Sequence, residues 1–600
     1  MKSLLSILLL IGTLVSGTAP SYAQSPCQAL PLPQERVALH LDRNVCLAGD
    51  TLWFKAWCFL DGQLEQEMSK VLYVEVFDET GKAIVQDKHR LSDNQAVGSI
   101  AIPADVPSKY YFLKAYTRYM RNFSPAGFHY QQLVIANPLI EKSIIQADAL
   151  PASNRPAASP LRPTAGFSAD HRLEVALDKQ QYAPRQPIAF TINSPEPLTA
   201  ALSASVRLKG LGNQPTRQLM RQNKWLQASC QADPFCPSTA FPEELPNGGS
   251  AYETPQLDVT NLQWLPETRG LTVSGYLQNE HQEKAATTPL VVAVVQDAPM
   301  LHLGTTDDAG DFTIGLQNME RQQELFVGTP DVQDKVFIRN DFETELPPIT
   351  TVPLEYDSSL HQLLEAAYLH QQLDQAYPSP ASEAVLPPQR PHLPATNLRS
   401  PDRRIALSDY IEVSTMAEVF NEIAAGINLR KQAGQLGLAV FNPEEQAWRA
   451  ASLVLLDNVP VYDIEELLKI NPAKVEAIEV FHSDYIIGNY TLEAIVSIST
   501  TTDDFAGYQW GEQVAFTAFK AFAVPPPFEQ VVQPGSSHHP DFRPVLYWQP
   551  HLALRQEKAT DTITVYAPDR PGRYEIVVQG YTRSGAACLG YAVVEVVGGG

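Results

Sequence analysis

Basic residues are scarce in this 600-residue chain: 44 lysines and arginines stand against 67 aspartates and glutamates, for a formal net charge of −23. Nucleic-acid binding needs a basic footprint on the protein surface, so the charge argues against a nucleic-acid partner. Long apolar runs are also missing after the first 23 residues, where no stretch approaches the ~18 apolar residues of a membrane-spanning helix. We therefore expect no transmembrane helix in the mature chain.

Signatures of catalysis are missing as well. The chain has no Gly-x-Ser-x-Gly elbow, no His-Glu-x-x-His helix and no glycine-rich phosphate loop after a strand. None of its cysteines has a histidine at the spacing of a known thiol-enzyme family. We predict that the protein is not an enzyme, that it has no catalytic, cofactor-binding or metal-binding residues, and that it has no small-molecule substrate.

Proline, by contrast, is abundant, at 48 residues or about 8% against a usual ~5%, which favours strands, turns and linkers over long helices. The length predicts about four domains. Lys2 precedes an apolar stretch at 4–15 and small residues at 21–23, a pattern typical of a secretory signal peptide over residues 1–23. The sequence thus predicts an exported protein of the periplasm or the cell surface.

Six cysteines in an exported chain indicate disulfides, and six cysteines allow fifteen pairings. Cys230 with Cys236 is the best local pairing, because both lie in a loop-rich segment with a proline between them. Cys46 with Cys58 is a second pairing, across a predicted hairpin. The remaining cysteines are Cys27 and Cys588.

Residues 36–123 are dense in strand signals, with alternating apolar residues, aromatic segments and glycine-containing turns. Within them, residues 41–56, LDRNVCLAGDTLWFKA, resemble a segment of the macroglobulin-type β-sandwiches found in alpha-2-macroglobulin relatives of Bacteroidota. The resemblance implies such a sandwich over residues 28–139. Alternation along the strand should send one of Trp53 and Phe54 into its core.

Two later segments resemble the same family. Residues 182–185, YAPR, look like the turn before a macroglobulin strand and imply a second sandwich over 169–268, with a long insertion at 210–268. Residues 546–550, LYWQP, together with a Pro-Gly-x-Tyr strand start at 571–574, look like a macroglobulin-relative domain. They imply a connector and a C-terminal macroglobulin-like β domain over 504–600.

A different β domain is indicated between these sandwiches. Residues 306–312, TDDAGDF, resemble the hairpin of carboxypeptidase regulatory-like domains and imply one over 269–345. Its aspartates do not have the twelve-residue spacing of a calcium loop and predict a turn instead. Proline-rich segments separate the units: a linker at 140–168, and a helix with a second linker at 346–404.

The segment 453–500 predicts a small α+β unit with one sheet, because apolar runs, a capped helix and a strand of period two follow one another. The predicted elements are, in order, a strand at 453–456, a turn at Asp457-Asn458, a helix with Asp463 as N-cap, a strand at 475–481 and a strand at 494–499.

This unit resembles the plug domain of TonB-dependent outer-membrane receptors over residues 405–503. The motif residues that carry the resemblance are Asp457, Asn458, Val459, Pro460, Glu476, Glu479 and Gly488. Asn458 stands where the family has a glycine. A 22-stranded receptor barrel needs more than ~200 residues, and only 100 residues follow Thr500, so we expect a plug-like module without a barrel of its own.

The sequence therefore predicts a mainly β, multi-domain fold of immunoglobulin-like, macroglobulin-type β-sandwiches plus one α+β plug-like domain. The resemblances imply an exported, non-enzymatic binding or scaffold protein associated with the outer membrane, whose partner is an outer-membrane β-barrel such as a TonB-dependent transporter. The alternative is a macroglobulin-like protease inhibitor or sensor. It would lack the family's thioester, because Cys588 leads into Leu589-Gly590-Tyr591, and it requires a cleavable segment, for which 210–268 is the candidate.

Overall fold

The structure is a computed structural model of the chain. It describes residues 32–140, 169–212, 222–235, 262–295, 300–316, 319–330, 333–350, 353–354, 358–376, 400–410, 413–432, 435–487, 490–528 and 540–598. The predicted signal peptide, Cys27, Cys236 and Gly488 lie outside these ranges. Among the described helices, none combines the length and the apolar character needed to cross a membrane.

The first unit is a β-sandwich, here called the N-terminal sandwich. Its strands are β1 Glu35–Leu41, β2 Val45–Leu47, β3 Thr51–Leu60, β4 Val71–Phe77, β5 Ala83–Arg90, β6 Gln95–Ala101, β7 Lys109–Tyr116 and β8 His129–Ala136. They form one sheet of order β1-β3-β6 and a second of order β2-β8-β7-β4-β5, and apolar side chains of both sheets meet in one core. Phe54 is fully buried there, while Trp53 is half-buried, as alternation along β3 predicts.

The alternative disulfide between Cys46 and Cys58 is wrong, because both thiols are free and buried. Cys46 lies on β2, which pairs with β8, whereas Cys58 lies on β3, which pairs with β1 and β6. The two cysteines therefore belong to different sheets and do not face each other across a hairpin. Burial raises the pKa of both thiols, which keeps them protonated and unreactive.

The rest of the described chain is again mostly strand. The strands are β9 His171–Leu177, β10 Gln181–Tyr182, β11 Pro187–Leu208, β12 Thr272–Gln278, β13 Pro289–Val295, β14 Met300–Thr305, β15 Asp311–Gly315, β16 Gln322–Gly328, β17 Lys335–Ile338, β18 Arg403–Ala406, β19 Ile427–Gln432, β20 Gln435–Asn442, β21 Ala447–Ala450, β22 Leu453–Leu456, β23 Val459–Pro460, β24 Val475–Phe481, β25 Tyr485–Ile487, β26 Tyr490–Leu492, β27 Ile495–Thr500, β28 Val514–Lys520, β29 Val545–Ala559, β30 Ile563–Tyr566, β31 Gly572–Thr582 and β32 Ala587–Val596.

Within the described ranges, helices are few and mostly short. They are α1 Lys224–Ala232, α2 Ser358–Ala376, α3 Met416–Glu418, a π-helical turn Val419–Ile423 that continues α3, and α4 Ile464–Leu467. The 3-10 turns are Tyr119–Asn122, Pro125–Gly127, Leu407–Asp409, Pro472–Lys474 and Phe505–Gly507. The mainly β, multi-domain fold class is thereby confirmed.

Strands from two distant segments form one sheet, here called the outer sheet. It has seven strands, with β10-β32-β31-β11-β29 in order and β9 and β30 beside them. Its longest strand, β11, pairs with β9 and β30 in its first half and with β29 and β31 in its second. Residues predicted to form a second sandwich and a separate C-terminal domain thus share one sheet and one core.

The next unit, here called the inner sandwich, also includes a strand from a distant part of the sequence. One sheet has the order β15-β12-β17, and the other has the order β14-β13-β16-β28. Strand β28 comes from the predicted connector and pairs with β16 from Gln322 opposite Lys520 to Gly328 opposite Val514. The connector therefore includes an integral strand of this sandwich, and the α+β unit is inserted between β17 and β28.

The α+β unit (residues 403–508) has the elements that the sequence predicts. Its five-stranded sheet has the order β18-β24-β27-β22-β23, and β24 begins and ends where the period-two pattern places it. The Asp463 carboxylate accepts a hydrogen bond from the Glu466 amide at the start of α4, as expected for an N-cap. A three-stranded sheet, β19-β20-β21, and a hairpin, β25-β26, extend from it.

Candidate functional site

The predicted site begins at a tight turn between β22 and β23. Asp457 has φ 46° and Asn458 has φ 67°, so both central residues are left-handed, as a type I′ hairpin turn requires. Asparagine and aspartate tolerate this conformation better than other residues with a side chain. Asn458 can therefore occupy the position where the resembled family has glycine.

The Asp457 carboxylate links this turn to the last residue of β27 and to the chain that follows it. Its Oδ1 accepts a hydrogen bond from the Thr500 amide at 2.6 Å, and its Oδ2 accepts from the Thr500 hydroxyl at 2.7 Å and from the Phe505 amide at 2.9 Å. Three donors thus converge on one half-buried carboxylate. This arrangement stabilises the end of the sheet, and we assign Asp457 a structural role.

We expect Asp457→Ala to destabilise the α+β unit by about 3 kcal/mol. Hydrogen bonds to a charged acceptor are worth about 1.5–3 kcal/mol, and the variant leaves the partly buried donors of Thr500 and Phe505 without an acceptor. Chemical denaturation followed by tryptophan fluorescence measures the change. Glu476→Ala is the matched control, since it removes an exposed carboxylate whose ion pair with Arg404 (3.2 Å) should contribute less than about 1 kcal/mol. Equal costs for the two variants would contradict the assignment.

The next motif residue, Val459, faces the inner sandwich. Val459 is fully buried and packs with Ala293 of β13 and Phe326 of β16, while Pro460 lies opposite Leu455 in the β22–β23 hairpin. A second apolar cluster joins the same two units. In it, Leu301 and Leu303 of β14 pack beside five residues of the α+β unit: Leu453, Leu455, Phe481, Leu492 and Ile495. One face of the five-stranded sheet is therefore bound to the neighbouring sandwich.

The other face of the same sheet carries the helices. One apolar core joins the helices to this face. It includes Met416 of α3, Ile464 and Leu467 of α4, and the sheet residues Ile478 and Ile498. Both faces of the five-stranded sheet are thus covered by this chain itself. A partner can reach the sheet along its edges and through the extensions that leave it.

The structure does not bring the remaining predicted residues to the turn. Glu476 and Glu479 lie on β24, where both approach Arg404 of β18, at 3.2 and 3.8 Å. Gly488 lies outside the described residues. Cys230 is buried in α1, and its pairing with Cys236 stays a prediction because residue 236 is not among the described ones.

The exposed parts of the described α+β unit include a strand edge and two extensions. Strand β18 is an outermost strand of the five-stranded sheet. Ile486, on the hairpin β25-β26, is 71% exposed, and Trp448, on β21, is 39% exposed beneath the Arg430 guanidinium, which lies 5.1 Å from its ring. Exposed large apolar side chains next to free strand edges are typical of protein-binding surfaces.

A buried ionic centre joins the N-terminal and inner sandwiches and was missed in the sequence. The Lys88 ammonium of β5 lies 2.6 Å from the Asp341 carboxylate, and its side chain has no solvent exposure. It also lies 3.8 Å from the centre of the Phe519 ring on β28 and 5.8 Å from the Phe342 ring. One lysine thereby connects three segments that are far apart in the chain.

A second buried network lies beside it. The Lys114 ammonium lies 2.9 Å from the Glu75 carboxylate and donates to the Glu343 carbonyl oxygen at 2.6 Å, while the Tyr116 hydroxyl donates to Glu75 at 2.7 Å. Burial lowers the pKa of Lys114, and the Glu75 charge opposes that shift. A signal for this network exists: Glu75 is the single charge of β4, and Lys114 lies between apolar residues in the interior of β7.

Comparisons with known proteins give low similarity. No protein-family model matches the sequence, and no curated protein matches it. Among solved structures, Salmonella alpha-2-macroglobulin reacted with methylamine is 8% identical with a TM-score of 0.23, covering 95% of this chain and 40% of that one. Trypsin-activated alpha-2-macroglobulin from Escherichia coli is 8% identical with a TM-score of 0.22, covering 94% and 42%.

The Escherichia coli adhesin FdeC is 11% identical with a TM-score of 0.13, covering 28% of this chain and 46% of that one. The chain thus spans about two fifths of the length of the alpha-2-macroglobulin structures it matches. These neighbours include the family that the sequence resembles, but TM-scores below 0.5 carry no argument for this chain. Its mainly β architecture is established by its own strands.

Proposed function

We propose that this protein is an exported, non-enzymatic binding protein that associates with the outer membrane by contacting a β-barrel partner, such as a TonB-dependent transporter. The observation that carries the proposal is the placement of the α+β unit. Its sheet is covered on both faces by this chain, and an apolar side chain, Ile486, projects on the hairpin β25-β26. Of the exposed parts of the unit, the hairpin carries the most exposed large apolar side chain, and we take it as the contact with the partner.

The strands determine the geometry of this contact. The hairpin β25-β26 is a two-stranded sheet by itself. Its Leu492 packs beside β14, whereas Ile486 on the other strand is exposed. A partner that covers Ile486 or adds a strand beside the hairpin would stabilise it. Strand addition uses backbone hydrogen bonds for affinity and side-chain pockets for specificity, which suits a partner built of strands.

Purification from native membranes in mild detergent tests the proposal. The full chain is expected to co-purify with an outer-membrane barrel protein, and Ile486→Asp is expected to lower recovery of that partner about tenfold, since a central apolar contact is worth more than about 1 kcal/mol. Leu265→Asp is the matched control, because Leu265 is also exposed (62%) but belongs to another unit. Recovery of the protein as a free monomer would argue against barrel association.

The protease-inhibitor alternative depends on the insertion at 210–268. Part of that insertion is ordered: Trp225 of α1 is buried, its ring centre lies 5.3 Å from that of Phe112 and 4.7 Å from that of Tyr130, and its indole nitrogen donates to the Pro348 carbonyl oxygen. A helix held by the sandwich core is a poor substrate for cleavage. Incubation with broad-specificity proteases separates the two functions. A protein that becomes more compact after cleavage favours the inhibitor function, and a protein whose shape does not respond to protease favours binding to a barrel partner.

A further inference from the structure

A large cleft separates the N-terminal sandwich from the outer sheet. Its volume is about 1430 Å³, and residues of β3, β6, β11, β29 and β31 line it. Pockets that bury drug-sized ligands have volumes of about 300–1,000 Å³, so this cleft can hold a short peptide. The cleft lies away from the α+β unit, so binding of a ligand here is independent of the proposed contact with a barrel.

Lys55 is the principal charged group of the inner wall. It lies on β3, and its residue is 1% exposed. Among the described residues, its ammonium donates one hydrogen bond, to the Leu202 carbonyl oxygen at 3.2 Å, and it lies 5.3 Å from the centre of the Trp57 ring. An ammonium has three donors and no acceptor, which leaves donors for an incoming oxygen.

Tyr581 supplies a second donor to the same wall. Its ring centre lies 5.3 Å from that of Trp57 and 4.8 Å from that of Phe59, and the residue is 1% exposed. Its hydroxyl is buried without a hydrogen-bond partner among the described residues. A buried hydroxyl that lacks a partner costs free energy, and a ligand oxygen would remove that cost.

The rim of the cleft has the opposite character. Glu65 and Glu67 lie there, but each has a cationic partner: Arg583 approaches Glu65 at 3.6 Å, and Lys70 pairs with Glu67. Two of the rim carboxylates therefore have a cationic partner within the protein, while a third, Asp93, is exposed there. The unused hydrogen-bonding capacity lies in the interior, and it consists of donors.

We propose that the cleft binds the carboxylate of a peptide C-terminus or of a small organic acid, with the Lys55 ammonium and the Tyr581 hydroxyl as its donors. A carboxylate presents only acceptors, and Lys55 and Tyr581 both line the cleft. Hydrogen bonds from an ammonium to a carboxylate are also among the strongest in proteins. The Tyr581 ring packs against the buried rings of Trp57 and Phe59.

Proton binding accompanies the proposed recognition. Burial lowers the pKa of Lys55 to about 7, and a carboxylate beside it would raise that pKa again. Affinity is therefore expected to fall as the pH rises above about 7, because the free lysine is then neutral. The other titratable groups that line the cleft are Glu65, Glu67, Asp93, His551, Tyr581 and Arg583. Behind the wall, the buried His40 also interacts with the Lys55 charge, and burial is the largest cause that lowers the pKa of His40.

Calorimetric titration of the full chain with N-acetyl-trialanine, its C-terminal amide and acetate tests the proposal. The free acid is expected to bind about tenfold more tightly than the amide, and Lys55→Met is expected to remove that preference. Tyr581→Phe is expected to weaken binding of the acid about fivefold without lowering the melting temperature, because the hydroxyl has no hydrogen-bond partner to lose. Acetate that binds as well as the peptide acid assigns the site to small organic acids, and tighter peptide binding assigns it to C-termini.

The matched control is Tyr462→Phe, which removes another buried hydroxyl without a partner among the described residues, at the contact between the α+β unit and the inner sandwich. It is expected to leave carboxylate binding unchanged. Equal affinity for the acid and the amide, or an acid affinity that Lys55→Met leaves intact, overturns the proposal.

Discussion

Lys88→Met is expected to lower the free energy of unfolding by about 3–5 kcal/mol, because removing one partner of a buried ion pair leaves the other charge uncompensated. The uncompensated group is the Asp341 carboxylate, which lies 2.6 Å from the Lys88 ammonium and is 12% exposed. The lysine also loses its position over the Phe519 ring. Denaturant titration monitored by circular dichroism measures the loss.

Lys284→Met provides a control at the same distance. The Lys284 ammonium also lies 2.6 Å from a carboxylate, that of Asp311, but the lysine side chain is 43% exposed. Solvent screens this pair, and its loss should cost less than about 1 kcal/mol. The double variant Lys88→Met, Asp341→Asn is expected to recover part of the stability, since no buried charge remains. A cost for Lys88→Met no greater than that for Lys284→Met would show that the buried pair does not hold the two sandwiches together.

His89→Leu is expected to remove an acid-sensitive contribution to stability. Burial lowers the pKa of His89 to about 3, so its imidazole is neutral in the folded chain. Below the unfolded pKa of about 6.5, the unfolded state binds a proton that the folded state does not, and stability falls by about 1.4 kcal/mol per pH unit down to about pH 3. The histidine therefore lowers the free energy of unfolding by about 2.7 kcal/mol more at about pH 4.5 than at about pH 7.5.

The measurement is the difference in unfolding free energy between His89→Leu and the unaltered chain at these two pH values. Neither ring nitrogen of His89 has a hydrogen-bond partner among the described residues, so leucine should not destabilise the protein at neutral pH. Subtraction removes the opposing contribution of buried carboxyls such as Asp233, whose pKa burial raises to about 6. His281→Leu, at a 75% exposed side chain, is the control. A difference independent of pH would mean that His89 meets solvent in the folded chain.

Local structure in this protein could be predicted from short stretches of sequence. The turn Asp457-Asn458, the N-cap Asp463 and the strand Val475–Phe481 all form where residue type and period predict them. The turn at 307–311 also forms, with the Asp307 carboxylate accepting from the Ala309 and Asp311 amides. These elements depend on interactions within a few residues, which is why local patterns report them.

The candidate sites were predicted less completely. Asp457 and Val459 have structural roles that depend on distant residues. Asp457 accepts hydrogen bonds from Thr500 and Phe505. Val459 packs with Phe326, which lies more than a hundred residues away in the sequence. Lys55 and Lys88 look in the sequence like ordinary strand lysines. Their surroundings consist of side chains and carbonyl groups from other segments, and no pattern within one strand specifies those.

The amino-acid sequence by itself determined the class of this protein: strand-rich units separated by proline-rich segments, with an α+β unit near residue 453. Only the tertiary structure decided how distant segments combine. Strand β28 completes the inner sandwich, which begins at β12, and strands β29–β32 complete the outer sheet, which begins at β9. The reason is physical. Alternation specifies which face of a strand is buried, but any exposed strand edge can accept any complementary strand, so the partner is selected by packing of the whole chain.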